Sequence, residues 1–211
     1  MVLEITHYFD YKSPYAYLAQ AGTELLEKKF NLKVTRIPYT LHIPSFLGAA
    51  ELDASGVDII GTRNAHQWRR VKYSYMDCRR EANRRGLTIR GPRKIWDTSL
   101  AHIGFLFAGE RNQFEPYHQL VYERFWRREL DIEDIAVIVA VLEEAGVNTA
   151  GFAEYVARGR ARLDALQASA EGAGIFGVPS WTVNGELFWG SERLALIEET
   201  IMRALAQSRN L

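Results

Sequence analysis

The run LEITHYFDYKSPYAYLAQ constrains this chain more than any other stretch. Leu3, Ile5, His7 and Phe9 alternate onto one face, the period of a strand over residues 3 to 9. Pro14 suits the first position of a helix and Ser13 suits its cap. Tyr15, Leu18, Ala19, Gly22, Leu25 and Leu26 then recur at helical spacing, and residues 32 to 39 read as a second strand ending near Pro38. Strand, helix and strand of these lengths form a βαβ unit, whose two strands run parallel because the connection crosses over.

The next hundred residues or so read as helical. Trp68, Val71, Tyr75, Cys78 and Ala82 mark one helix, stopped at Gly86. His102 to Phe107 belongs to another, and Tyr117, Leu120, Val121 and Phe125 mark a third. Asp131 is expected to cap a fourth, with Ile132, Ile135, Ala136, Val139 and Leu142 inside it and Gly146 after it. Residues 149 to 158 and about 160 to 171 read as two more. Then the period changes. Ser180 to Val183 and Glu186 to Trp189 flank Asn184-Gly185, a strong hairpin signal because both turn residues take positive φ. A last helix carries Leu194, Ile197, Ile201 and Leu205. The order β-α-β, helical block, α-β-β-α predicts an α/β thioredoxin-like mixed sheet, built from both chain ends, with an inserted all-helical domain. The expected division is 1–41 with 159–211 for the sheet domain and 42–158 for the insert.

Composition bounds the partners. The chain has 26 Lys plus Arg against 26 Asp plus Glu, so no net charge favours nucleic acid or an anionic membrane. No apolar run reaches bilayer-spanning length, and the N-terminus lacks the basic-then-apolar pattern of a signal peptide. The single cysteine, Cys78, cannot form an internal disulfide. These features predict a cytoplasmic protein. His42, His66, His102 and His118 lack metal-ligand spacing, and no Gly-rich phosphate loop is present.

Three stretches bear on chemistry. The first is Ser13-Pro14-Tyr15-Ala16, at the helix start where a thioredoxin-like fold would carry Cys-x-x-Cys. Ser13 is either a plain cap or a donor of one hydrogen bond to a thiolate brought by a ligand, at the positive end of the helix. In the second, Val178-Pro179 directly precedes a strand, so the proline marks an edge, a turn or a cis bond. If the bond is cis, the Val178 N–H and C=O become available to an extended peptide. The third is Gly190-Ser191-Glu192-Arg193, where Ser191 is expected to cap the last helix. Exposed N–H groups there would suit a carboxylate, and Glu192 an ammonium. Along one edge of a thioredoxin-like fold the three segments match an extended tripeptide with a thiol at one end and an α-amino acid at the other: glutathione.

The motifs YFDYKSPYAYLA and FGVPSWTVNGELFWGSERL, with YSYMDCRREANRRGLTI and TSLAHIGFLFAGE between them, resemble the 2-hydroxychromene-2-carboxylate isomerases and the kappa-class glutathione transferases of the DsbA-like thioredoxin group. The resemblance covers nearly the whole chain. It implies glutathione as cofactor and Ser13 as the catalytic residue at its sulfur. It implies Val178 and cis Pro179 at the cysteinyl part, and Gly190, Ser191, Glu192 and Arg193 at the γ-glutamyl end. It implies a small aromatic or conjugated substrate held in the helical insert near Asn64 and Asp97, and a homodimer. Asp97 stands where the isomerases usually have Asn, so pairing by Arg90 or Arg93 is expected. Ser191-Glu192 is nearer the Ser-Asp of the kappa class than the Asn-Asp of the isomerases, but one methylene longer.

The expected activity is therefore glutathione-dependent isomerisation of 2-hydroxychromene-2-carboxylate or a related conjugated aromatic acid. The alternative is a kappa-like transferase or peroxidase. A thiol–disulfide oxidoreductase would need the cysteine pair that is absent here, and a binding module that has kept the fold would survive Ser13→Ala unchanged.

Overall fold

The strand opened by the N-terminal alternation becomes the second of four. The computed structural model describes residues 3–208. Its sheet has the order β2-β1-β3-β4, with β1 at Ile5–Phe9, β2 at Thr35–Pro38, β3 at Ser180–Val183 and β4 at Glu186–Trp189. β1 pairs parallel with β2 and antiparallel with β3, so both chain ends meet on one strand. The crossover from β1 to β2 is α1, Pro14–Phe30. Between β3 and β4, Asn184 and Gly185 take φ of 47° and 87°, the left-handed pair that a tight hairpin requires. The Asn184 Oδ1 accepts the Glu4 N–H at 3.0 Å, which ties the hairpin to the entry of β1.

One face of the sheet buries Ile5, Trp181, Val183 and Phe188 against Ala19 and Leu26 of α1 and against Ile197 and Ile201 of α8, Leu194–Ser208. His7 lies on the same strand face as Ile5, two residues on. Its ring stacks on Trp181 with centroids 4.6 Å apart and planes 5° from parallel. The Trp181 Nε1–H donates to Thr23 Oγ1 at 3.3 Å.

The chain divides into two units: residues up to Tyr39 with those from Asp164 onward, and Thr40–Leu163. The second unit holds α2 (Pro44–Leu47), α3 (Ala65–Arg84), α4 (Ser99–Gly109), α5 (Phe114–Arg127), α6 (Ile135–Glu144) and the first part of α7 (Phe152–Gly172). Two helical expectations need correction. The residues read as two helices around position 159 form one, α7. Gly159 is not a break there: a Cβ on it would lie 2.6 Å from Ile103 Cγ2, so its bareness lets the helices approach. The cap of α6 is Asp134, whose carboxylate accepts from the Ala136 and Val137 N–H groups, rather than Asp131. Asp131 instead accepts the Glu133 N–H at 3.1 Å within the preceding turn. Among the described residues no helix is long and apolar enough to cross a membrane.

Candidate active site

The site begins in the turn between β1 and α1. The Asp10 carbonyl accepts the Ser13 N–H at 3.0 Å. The Asp10 carboxylate accepts the Lys12 N–H at 3.2 Å and meets the Lys12 ammonium at 3.3 Å. Both side chains are buried, at 0% and 5% exposure for Asp10 and Lys12. The sequence reading passed over this pair. Its signal was an Asp and a Lys two residues apart in an otherwise apolar and aromatic run. A buried ion pair is costly unless its members find further hydrogen bonds, and here the carboxylate finds one in the turn itself.

The turn delivers Ser13 in extended conformation, φ −90° and ψ 113°, as the N-cap of α1 with Pro14 next. Ser13 Oγ accepts the Ala16 N–H at 3.2 Å. Its hydroxyl donates toward the Val178 carbonyl at 3.4 Å, a long contact. Ser13 is 5% exposed. A hydroxyl has one proton, so donation to another acceptor requires it to leave Val178.

The Val178-Pro179 bond is cis. This removes the alternatives left open by the sequence, and the proline sits at the entry to β3 where it interrupts no ladder bond. Of the two Val178 backbone groups expected to be available, the carbonyl is the one facing Ser13. The N–H has no hydrogen-bond partner among the described residues. The Gly190 N–H donates to the Pro179 carbonyl at 3.0 Å, which joins the third segment to the second.

Ser191 does not cap the last helix. Ser191, Glu192 and Arg193 form a single 3₁₀ turn, Gly190 occupies its cap position with φ 107° and no side-chain cap bond, and α8 starts at Leu194. The local sequence suggested a serine cap, but the left-handed geometry at Gly190 sets the entry one residue earlier. The Glu192 carboxylate folds back over the Gly190 Cα, in the space a Cβ would occupy. Glu192 and Arg193 approach at 3.9 Å and are both well exposed, so their attraction is weak.

Asn64 and Asp97 belong to the helical unit. Asn64 caps α3 through a reciprocal capping box: its Oδ1 accepts the Gln67 N–H at 2.9 Å, and Gln67 Oε1 accepts the Asn64 N–H at 2.9 Å. The Asp97 carboxylate accepts from the Ser99 N–H at 2.9 Å and the Ser99 hydroxyl at 2.6 Å. The Arg90 guanidinium is directed to the Arg127 carbonyl at 3.3 Å.

The profile of the DSBA-like thioredoxin domain matches residues 4–202. The chain belongs to the DSBA-like thioredoxin family. Its curated relatives include a 2-hydroxychromene-2-carboxylate isomerase from Pseudomonas putida, 24% identical over 98% of each chain. Another of that name, from Sphingobium xenophagum, is 25% identical over 96% of this chain and 100% of that one. Among solved structures, a 2-hydroxychromene-2-carboxylate isomerase superposes with a TM-score of 0.77 at 22% identity, covering 98% of both chains. A probable DsbA oxidoreductase from Streptomyces coelicolor gives 0.75 at 17% identity, covering 97% of this chain and 91% of that one. The fold of the DSBA-like family is thereby shared with proteins named as isomerases and as an oxidoreductase. This member carries Ser-Pro-Tyr-Ala at the start of α1, and its one cysteine lies buried in α3.

Proposed function

We propose that the protein is a glutathione-dependent isomerase acting on 2-hydroxychromene-2-carboxylate or a related conjugated aromatic acid. The observation that carries this reading is the Ser13 hydroxyl, held at the N-terminus of a 17-residue helix and 3.4 Å from the carbonyl of the cis-proline loop. A hydroxyl there cannot exchange disulfides, but it can donate to a sulfur anion. The names of the curated relatives supply the substrate class.

The residues fit glutathione in three respects. Ser13 has a proton to give and sits against the positive end of α1. The Val178 N–H, beside Pro179, offers an extended peptide its main-chain donor. Gly190, Ser191, Glu192 and Arg193 offer a carboxylate and a guanidinium that would suit the γ-glutamyl end, where an α-amino acid group needs both signs of partner. Bound glutathione would supply a thiolate that adds reversibly to a conjugated carbon, so that the former double bond can rotate. The Ser13 hydroxyl would turn from the Val178 carbonyl to donate its hydrogen bond to the sulfur. That hydrogen bond is worth about 1.5–3 kcal/mol to a charged acceptor. The helix terminus adds about 0.3–2 kcal/mol. Together they favour the anion by roughly one to four pKa units. Within the helical unit, Asn64 and Asp97 are each proposed as substrate contacts: the Asn64 N–H₂ is not used by its cap, and Ser99 holds the Asp97 carboxylate.

Ser191-Glu192 gives the kappa-like reading its one specific support. Isomerisation of 2-hydroxychromene-2-carboxylate measured with and without glutathione, beside conjugation of an aryl halide, separates the two. Isomerisation that proceeds equally well without glutathione would refute the proposal, and conjugation alone would favour the transferase.

A further inference from the structure

Two aromatic rings stand exposed beside the cis-proline loop. Phe176 is 61% and Trp189 52% exposed, and their centroids are 5.0 Å apart at an interplanar angle of 59°. Isolated exposed apolar side chains are ordinary on a protein surface, but two large rings in contact hold a continuous apolar face in water. Their roots are fixed by the same segments that build the site. Phe176 is two residues before Val178, so its Cα lies within about 7 Å of the Val178 Cα. Trp189 pairs with Ser180 across the β3–β4 ladder and directly precedes Gly190. The indole lies against the backbone between them: a Cβ on Gly177 would come 2.9 Å from Trp189 Nε1. Glycine at 177 therefore seats one side of the indole on the main chain and leaves the other to solvent.

We propose that Phe176 and Trp189 form the platform on which the aryl ring of the conjugated substrate lies, next to the thiol site. The inference rests on the isomerase reading above and extends it to named specificity residues. Aromatic faces recognise a planar ring by offset or edge contacts, while Ser13, facing the adjoining loop, would hold the reacting sulfur; orientation of the two together is what a reversible addition needs. A flat aryl acid is favoured over an aliphatic electrophile of similar reactivity.

The test measures three quantities in Phe176→Ala, Trp189→Ala and their conservative forms Phe176→Leu and Trp189→Phe. These are KM and kcat for 2-hydroxychromene-2-carboxylate, the thermal shift given by glutathione, and binding of trans-cinnamate by quenching of tryptophan emission. The alanine variants should raise KM about tenfold each with kcat changed less than threefold, and Trp189→Phe should recover most of the loss. The glutathione shift should persist, and cinnamate quenching should vanish in Trp189→Phe. Unchanged KM in both alanine variants overturns the platform, and so does an equal loss of glutathione binding. A change of sedimentation without a change of KM assigns the face to contact between copies and also overturns it. If an alanine variant does not fold, Phe176→Leu and the quenching readout decide: an unchanged KM in Phe176→Leu together with cinnamate quenching retained in Trp189→Phe overturns the platform. If the wild type neither isomerises nor binds glutathione, the underlying reading fails; cinnamate quenching from Trp189 then still tests the platform by itself.

Discussion

Two helix starts in this protein use the same local device and end in different states. At α3, Asn64 caps the first turn and Gln67 returns the bond, so both bonds of the cap are closed within four residues on an exposed surface. At α1, Ser13 caps the first turn too, but it is buried and its proton is directed 165 residues along the chain to Val178. The first cap is closed by its own neighbours. The second has a donor whose one acceptor among the described residues is a long contact to a loop that a ligand would also address. The lesson is that a cap motif becomes a candidate for chemistry when tertiary structure leaves one of its bonds exchangeable.

The sharpest way to break this contrast is Ser13→Ala. Turnover should fall by about ten- to hundredfold, the equivalent in rate of the roughly 1.5–3 kcal/mol assigned to a hydrogen bond with a charged acceptor. The melting temperature should fall by only about 2–4 °C, as for a lost cap in a chain of this size. Calorimetry beside steady-state kinetics checks both. A fall of less than fivefold in kcat would return Ser13 to the status of Asn64.

Acid should weaken the strand that leads to Ser13. Burial, with help from the Arg36 charge, lowers the His7 pKa from 6.5 to about 3, and neither ring nitrogen has a partner among the described residues. The folded form resists the proton that the unfolded chain accepts. Stability is thus intact above pH 6.5 and declines as pH falls toward 3, by roughly 3 kcal/mol on reaching pH 4. Urea unfolding at pH 7 and pH 4 measures it. His7→Phe should remove most of that slope, and an identical slope in the variant would show that other groups set it.

Within the helical unit, Gly159→Ala would force a methyl against Ile103 and Tyr155. Overpacking of this kind should cost about 1–3 kcal/mol, read from the urea midpoint, and no loss would mean that the helices part easily. The smallest effect sharpens the comparison itself. Asn64→Ala should cost about 1 kcal/mol of stability, whereas Asn64→Asp should keep the cap. If the Asn64 N–H₂ meets the substrate, Asn64→Asp also raises KM severalfold at unchanged melting temperature; an unchanged KM confines Asn64 to capping.

Much of this molecule was legible locally. Ser13-Pro14 set the start of α1, Asn184-Gly185 set the hairpin, and the two periods in residues 3 to 39 set a parallel pair, because caps, turns and amphipathic faces are decided by neighbours in sequence. The misreadings at Gly159, Asp131 and Ser191 share one cause. In each, local composition offered an adequate answer and packing or backbone geometry selected another a few residues away. The meeting of Ser13 with Val178 belongs to a further class. It joins residues 165 positions apart, and no local propensity encodes a contact that exists only after β3 has paired with β1. Neighbours along the chain set most of the elements and the chemical types at their ends. Which of those ends face one another is settled on folding, by burying the shared apolar face of the sheet beneath α1 and α8.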